Sequence, residues 1–142
     1  MTAVQRLRAD PLRGVVAAIS ALTVVSGLGQ LALPGTVLDL LDADSTQTSR
    51  HFFAIVGMFM AVVGGVVLHA LLVEPTPPYV VLWGALQKLG AFVAVSVGVA
   101  RDLFGSIALL VALFDLLTAV LAGALWMRLR AGVPAPRERV AA

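Results

Sequence analysis

The chain has 142 residues, of which 60% are hydrophobic and only 13% are charged. A typical soluble domain carries about 25% charged residues, and the mean hydropathy here is +0.99. Because the sequence contains no cysteine, disulfides, thiolate metal sites and cysteine nucleophiles are excluded. The composition therefore indicates a polytopic membrane protein with room for one domain.

Four long apolar runs predict four membrane-spanning helices, over residues 14–33, 50–73, 79–100 and 103–127. Each run reaches the roughly 20 residues that a helix needs to cross a hydrocarbon core about 30 Å thick. We expect an all-α fold, an integral membrane four-helix bundle of up-down-up-down topology. Residues 1–13 form an N-terminal arm, and the arginine-rich stretch 128–142 is predicted to be a disordered tail.

One face of the first span carries small and polar side chains. Ser20, Thr23, Gly27 and Gln30 recur at helical spacing, a pattern typical of close packing between membrane helices. The same face also has the chemistry of a pocket wall. Residues 34–49 then form a polar connection with a short helix, which is either a lid over a cavity or a plain connector with its apolar side on the lipid.

The two histidines are too far apart to share a ligand. His51 and His69 lie eighteen residues apart on the second span, about 27 Å along the helix axis, and the chain has no third histidine. No metal site and no cofactor is therefore predicted. His51 stands beside Arg50 at the start of the span, where it is either a headgroup-level anchor or a catalytic group.

The third and fourth spans are predicted to turn at Arg101-Asp102. Lys88 lies thirteen residues before Arg101 and Asp115 lies thirteen residues after Asp102, so both sit about 20 Å of helix from the turn. A lone charge at such a depth costs roughly 2.5–3.5 kcal/mol, whereas two opposite charges at one level offset each other. We therefore expect Lys88 and Asp115 to pair inside the membrane. Asp102 is expected to cap the fourth span.

Arginines are concentrated on the side of the membrane that holds both termini. Seven lie there, against two on the other side (Arg6, Arg8, Arg13, Arg128, Arg130, Arg137 and Arg139, against Arg50 and Arg101). By the positive-inside rule both termini are expected to be cytoplasmic. The basic pI is explained by this topology signal, and no nucleic-acid partner is expected.

The layout resembles that of the DoxX-like group of small four-helix membrane proteins. The shared features are a polar loop after the first span, Arg50 opening the second, glycine-rich middle spans, a short third-to-fourth hairpin and an arginine-rich tail. The resemblance implies a bacterial inner-membrane protein, in some members a partner subunit linked to redox or sulfur metabolism. The lack of cysteine argues against a thiol redox role for this chain.

The predicted topology places polar residues at two levels of the bundle. Near the outer end lie Gln30, Arg50, His51, Arg101 and Asp102, and at mid-depth lie Gln87, Lys88 and Asp115. Two interpretations stay open for the mid-depth pair: a structural ion pair that fixes helix register, or a polar anchor for a lipophilic ligand. Gln87, Gln30, Arg50, Arg101 and Asp102 are the candidate ligand-binding residues that accompany it.

Two functions fit this arrangement. The first is a membrane protein that binds a lipophilic small molecule, or an accessory subunit of a membrane enzyme, with membrane lipids and a partner protein or second copy around it. The second is an isomerase or cyclase acting on a terpenoid, sterol or polyketide-like substrate. In that case Asp115 and Lys88, or His51 and Arg50, move the protons. Whether the protein is an enzyme is left open by the sequence, and a proton path is disfavoured because mid-depth polar residues are few.

Overall fold

The computed structural model describes residues 2–132, and within them the chain forms six helices and no strand. The helices are α1 (Ala3–Ala9), α2 (Pro11–Ala32), α3 (Pro34–Leu40), α4 (Gln47–Leu72), α5 (Pro78–Ala100) and α6 (Ala108–Ala131). Four of them, α2, α4, α5 and α6, are long and apolar enough to cross a membrane. The predicted all-α membrane bundle is therefore confirmed, and the chain is a multi-pass membrane protein.

The four spans are arranged as two antiparallel hairpins. α2 packs along α4 and α5 packs along α6, while smaller contacts join α4 to α5 and α2 to α6. Each span also exposes large apolar side chains, among them Val25, Phe59, Val93 and Leu110, as expected for surfaces that face lipid. The order of contacts gives the predicted up-down-up-down bundle.

The apolar core lies at the end of the bundle that also holds the N-terminal arm, here called the terminal end. Each of the four spans contributes two buried residues to it, namely Val16, Ala17, Val67, Leu71, Val81, Ala85, Ala122 and Leu125. At the opposite end, here called the loop end, the two hairpins meet at Leu41, the C-cap of α3. Gly105 in the α5–α6 connection donates its N–H to the carbonyl oxygen of Leu41, 2.8 Å away.

The packing face predicted for the first span is present in the structure. Ser20, Thr23, Gly27 and Gln30 are all buried on α2. At the closest point Gly27 and Gly57 face each other, and a Cβ atom added to either glycine would come within 2.6 Å of the other's carbonyl oxygen. Small residues here allow the backbones of α2 and α4 to touch, as in other lipid-embedded helix pairs.

The helix boundaries differ from the predicted spans by more than one residue in α2, α4 and α6. α2 begins at Pro11 rather than at residue 14, with Asp10 as its N-cap. α4 begins at Gln47 rather than Arg50, because Thr46 and Ser49, which were predicted to lie in a loop, form a capping box. α6 begins at Ala108, five residues later than predicted, and continues to Ala131, so that Arg128 and Arg130 are helical. The predicted disorder of the remaining tail concerns residues 133–142, which lie outside the described residues.

The expectation that Asp102 caps the fourth span is wrong. α6 has Ile107 at its N-cap position, with no side-chain hydrogen bond. Asp102 instead closes the C-terminus of α5 with a positive φ of 56°. Its N–H donates to Val99 O at 3.1 Å and the Leu103 N–H donates to Gly98 O at 2.9 Å, which is the Schellman pattern of helix termination. The α5–α6 connection consequently extends over residues 101–107 instead of two residues.

Candidate functional site

Lys88 and Asp115 form a buried ion pair between α5 and α6. Lys88 Nζ donates to Asp115 Oδ1 at 2.7 Å, and each side chain is only 8% exposed. Asp115 belongs to the buried stripe of α6, between Ala112 and Thr118, and Lys88 lies one turn beyond the buried Ala85 on α5. The two stripes face each other because residues three and four apart share one side of a helix. The predicted contact is present, although the connection between the helices is longer than the two-residue turn about which the equal spacing was counted.

The pair lies at mid-depth, immediately beyond the apolar core. Lys88 is ten residues from the start of α5 and twelve from its end, about 15 Å and 18 Å along the axis. On the terminal side it is followed by Ala85 and Val81, which belong to the core. Ionic groups at such a depth are costly and, in membrane proteins, commonly mark functional positions.

The pair keeps unused hydrogen-bonding capacity. An ammonium has three donors and a carboxylate accepts at both oxygens, yet within residues 2–132 the two groups share a single hydrogen bond. The neighbouring Thr118 hydroxyl does not contribute, because it donates to Phe114 O on its own helix at 2.8 Å. A ligand with both acceptor and donor atoms could therefore bind the pair without displacing another protein partner.

The two glutamines of the candidate site are separated by the fold. Gln87 precedes Lys88 on α5 and is half-buried. Gln30 is buried against α4, where its Cβ packs on Gly57. Gln30 thus belongs to the α2–α4 packing face, and its part in ligand binding stays a prediction, as does that of Gln87.

The charged residues predicted for the outer end lie at the loop end of the bundle. Arg50 Nε donates to Ser45 Oγ at 2.8 Å, and the exposed His51 ring packs edge-on against Phe52. Arg101 is the exposed C-cap of α5, with Asp102 directly after it. Within the described residues no hydrogen bond or ion pair joins any of these four residues to Lys88 or Asp115. The catalytic role suggested for His51 stays a prediction.

A second polar cluster, at the terminal end, was not predicted from the sequence. Arg13 is buried and donates to the carbonyl oxygens of Leu71 and Val73, to Glu74 Oε1 at 2.6 Å and to the Thr76 hydroxyl. Arg6 reaches the same turn and donates to Leu72 O at 2.6 Å. We call Arg6, Arg13, Glu74 and Thr76 the Arg13 cluster, which caps the C-terminus of α4 and ties the N-terminal arm to it.

The charge of Glu74 is favoured by this cluster. The hydrogen bond from Arg13, helped by the charges of Arg13 and Arg6, holds the pKa of Glu74 below its ordinary value of 4.5. Asp10 and Glu74 are the acidic residues of this end among residues 2–132, and Asp10 also pairs with an arginine, Arg128, at 3.2 Å. That small number of carboxylates was the signal by which the sequence could have indicated the pairing.

Among residues 2–132, no three His, Asp or Glu side chains come together in a way that could hold a metal ion. No protein-family model, no curated protein and no solved structure matches the chain. Within residues 2–132, the fold and the site define a small multi-pass membrane protein, with four helices long and apolar enough to span a membrane and an ion pair buried at mid-depth.

Proposed function

We propose that this protein binds a lipophilic small molecule whose polar group contacts Lys88 and Asp115. The observation that supports the proposal most strongly is the ion pair itself. It is 2.7 Å long and buried at mid-depth, and within residues 2–132 its two groups make only the hydrogen bond that joins them. Stability alone does not require such a pair. Replacing a buried ion pair by apolar residues is often neutral or stabilising, by about 1–4 kcal/mol.

The surroundings of the pair favour one class of ligand. Large apolar side chains such as Phe114 and Leu117 flank the pair along α6, and the four spans lie in lipid. A molecule that reaches the pair must therefore be mostly hydrocarbon, with one group that can accept from an ammonium and donate to a carboxylate. The layout shared with the DoxX-like group supports a bacterial inner-membrane location and an accessory role beside a membrane enzyme, which would receive or supply the ligand.

The same pair supports a second candidate, an isomerase or cyclase. Asp115 and Lys88 are an acid and a base in direct contact, and a substrate that separated them could exchange a proton with either. Because the ion pair is closed, a substrate must separate the two groups before either can exchange a proton, whereas a bound ligand can use their unfilled hydrogen-bonding capacity without separating them. We therefore place binding ahead of catalysis on an apolar terpenoid, sterol or polyketide-like substrate.

The test compares the wild-type protein with the double variant Lys88→Met/Asp115→Leu, purified in mild detergent. Solvent extraction and mass spectrometry should find a lipophilic species retained by wild type and lost from the double variant. The matched control, Asp10→Asn/Arg128→Gln, removes an exposed ion pair and should retain the species. Identical extracts from all three proteins would refute the proposal. Conversion of the species by wild type but not by Asp115→Asn would establish the enzyme instead.

We also propose that both termini are cytoplasmic. Four spans return the chain to its starting side, and that side carries most of the arginines. A reporter fused after Ala131 should be active in the cytoplasm, and one inserted near Asp44 should be active outside. The opposite pattern would reverse the orientation without changing the fold.

A further inference from the structure

A polar cavity at the loop end is separate from the Lys88–Asp115 pair. It has a volume of about 360 Å³ and lies between the start of α3 and the first turn of α4. Its lining residues are Leu33, Pro34, Gly35, Thr36, Asp39 and Arg50. We call it the Arg50–Asp39 cavity.

Arg50 presents unused donors in this cavity. Its Nε donates to Ser45 Oγ, and within residues 2–132 its guanidinium makes no other hydrogen bond or ion pair. Gly35 allows the guanidinium to approach the α3 backbone. A Cβ added there would lie 3.0 Å from Nε and 3.2 Å from Cζ. Arg50 therefore has its Nε held by Ser45, while its two Nη groups have no partner within residues 2–132 and present the fork that binds phosphate oxygens.

Asp39 lines the same cavity without pairing with Arg50. No ion pair within 4.0 Å joins the two side chains, although they carry opposite charges. The cavity therefore holds a separated positive and negative group. A simple anion would be repelled by Asp39 and a simple cation by Arg50, whereas a molecule with both charges complements both.

The position of the cavity indicates where such a molecule comes from. α2 ends at Ala32, and Leu33, which lines the cavity, is 60% exposed at the end of this apolar span. This is the depth at which phospholipid headgroups meet their acyl chains. We propose that the Arg50–Asp39 cavity binds the headgroup of a zwitterionic phospholipid with a primary ammonium, its phosphate on Arg50 and its ammonium on Asp39.

The ammonium gives the site its selectivity. The ammonium of phosphatidylethanolamine has N–H groups that can donate hydrogen bonds to a carboxylate. The trimethylated ammonium of phosphatidylcholine has no such donor. Phosphatidylglycerol carries the phosphate but no positive charge for Asp39. Loss of one partly exposed charged contact is worth about 1 kcal/mol, or about fivefold in affinity, which sets the expected preference for phosphatidylethanolamine over either lipid.

The experiment measures lipid retention by native mass spectrometry after reconstitution with the three lipids, matched in acyl chains. Wild type should retain phosphatidylethanolamine about fivefold better than the other two. Asp39→Asn should abolish that preference, and Arg50→Gln should weaken retention of all three lipids. Arg50→Lys keeps the charge and should give an intermediate result. The controls are Asp44→Asn and Arg101→Gln, which change charges at the same end outside the cavity.

Circular dichroism and gel-filtration profiles identical to wild type establish that each variant is folded before it is compared. Equal retention of the three lipids by wild type would overturn the proposal, as would equal effects of the control and cavity variants. Water-soluble glycerophosphoethanolamine should fail to displace the lipid in the micromolar range, because it lacks acyl chains. Displacement in that range would overturn the assignment to a membrane lipid.

Discussion

Lys88 and Asp115 illustrate how an ion pair behaves where water is excluded. The pair is 2.7 Å long and nearly fully buried, so each charge depends on the other for its solvation. Removing one partner leaves an uncompensated charge, whereas removing both leaves an apolar contact between α5 and α6. The energetic signature of the pair is therefore strong non-additivity.

We predict that Lys88→Met alone lowers the free energy of unfolding by about 3–5 kcal/mol, and that adding Asp115→Leu restores most of it. Unfolding in mixed micelles of mild detergent and SDS measures both changes. For the exposed pair Asp10–Arg128, whose arginine side chain is 57% exposed, the same cycle should give a coupling below about 1 kcal/mol. Additive losses at Lys88 and Asp115 would show that the contact has no energetic weight.

Asp42 and Asp102 occupy backbone conformations that suit glycine. Their φ angles are 52° and 56°, and each directly follows the last turn of a helix, α3 or α5. A left-handed residue with a side chain is disfavoured, and a carboxylate at a helix C-terminus opposes the helix dipole. Neither aspartate is therefore in place for stability.

Asp102→Gly should raise the free energy of unfolding by about 0.5–1 kcal/mol, because glycine adopts the left-handed region without steric cost. Asp102→Ala should gain less, since it removes the charge but keeps the Cβ. Thermal unfolding of the three proteins in one detergent ranks them. Alanine at least as stabilising as glycine would mean that the backbone conformation is not the cause.

At the scale of the helices, close approach of α2 and α4 depends on two glycines. Gly27 and Gly57 face each other at the crossing, where an added Cβ would lie 2.6 Å from backbone atoms. Gly29, two residues along α2, has nothing within 4 Å of its notional Cβ. α2 thus contains one glycine in close contact with a neighbouring helix, Gly27, and one with open space beside it, Gly29.

Gly27→Ala should destabilise the protein by about 1–3 kcal/mol, because the backbones must separate to admit a methyl group. Gly29→Ala should be neutral, or stabilising by up to about 1 kcal/mol through helix propensity. Unfolding in mixed micelles and the helical signal in circular dichroism distinguish the two variants. Equal effects would contradict the crossing geometry.

The sequence predicted well the features that are marked by a long apolar run or by a high energetic cost of leaving a charge unpaired. The spans followed from their apolar length, and the Lys88–Asp115 contact followed from the cost of an unpaired charge in lipid. The α5–α6 connection was misjudged, because residues 103–107 are as apolar as a span but do not form a helix. The Arg13 cluster was missed in part because Arg13 also donates to carbonyl oxygens freed at a helix end, which have no signature in the sequence. The few carboxylates at the terminal end were a signal only for its ion pair.

At the scale of the whole molecule, polar contacts between elements stabilise the bundle at both ends. The Arg13 cluster ties the N-terminal arm to the α4–α5 turn. At the loop end, the hydrogen bond from Gly105 to Leu41, the C-cap of α3, joins the two hairpins. The Lys88–Asp115 pair lies between these two sets of contacts, beyond the apolar core. This arrangement holds both ends of the bundle in place around the buried pair.

The stabilising effect of the Arg13 cluster at the terminal end should depend on pH. The pKa of Glu74 is lowered in the folded protein, so its stabilising effect is complete above 4.5 and is lost as the pH falls through the lower folded value. The effect stays below about 1 kcal/mol, because the side chain is 46% exposed. Amide hydrogen exchange in α1 should become faster as the pH falls below 4.5, because the helix opens more often. The increase should be smaller in the Glu74→Gln variant. An unchanged response in that variant would exclude Glu74 as its source.

Lys88 and Asp115 are proposed to contact a ligand inside the membrane. Infrared difference spectroscopy tests this contact most directly, by adding back the lipophilic extract of the wild-type protein to delipidated protein. We predict a shift in a carboxylate stretching band that is absent from Asp115→Asn and present in Asp10→Asn. A difference spectrum without a carboxylate band, or one that persists in Asp115→Asn, would contradict the claim.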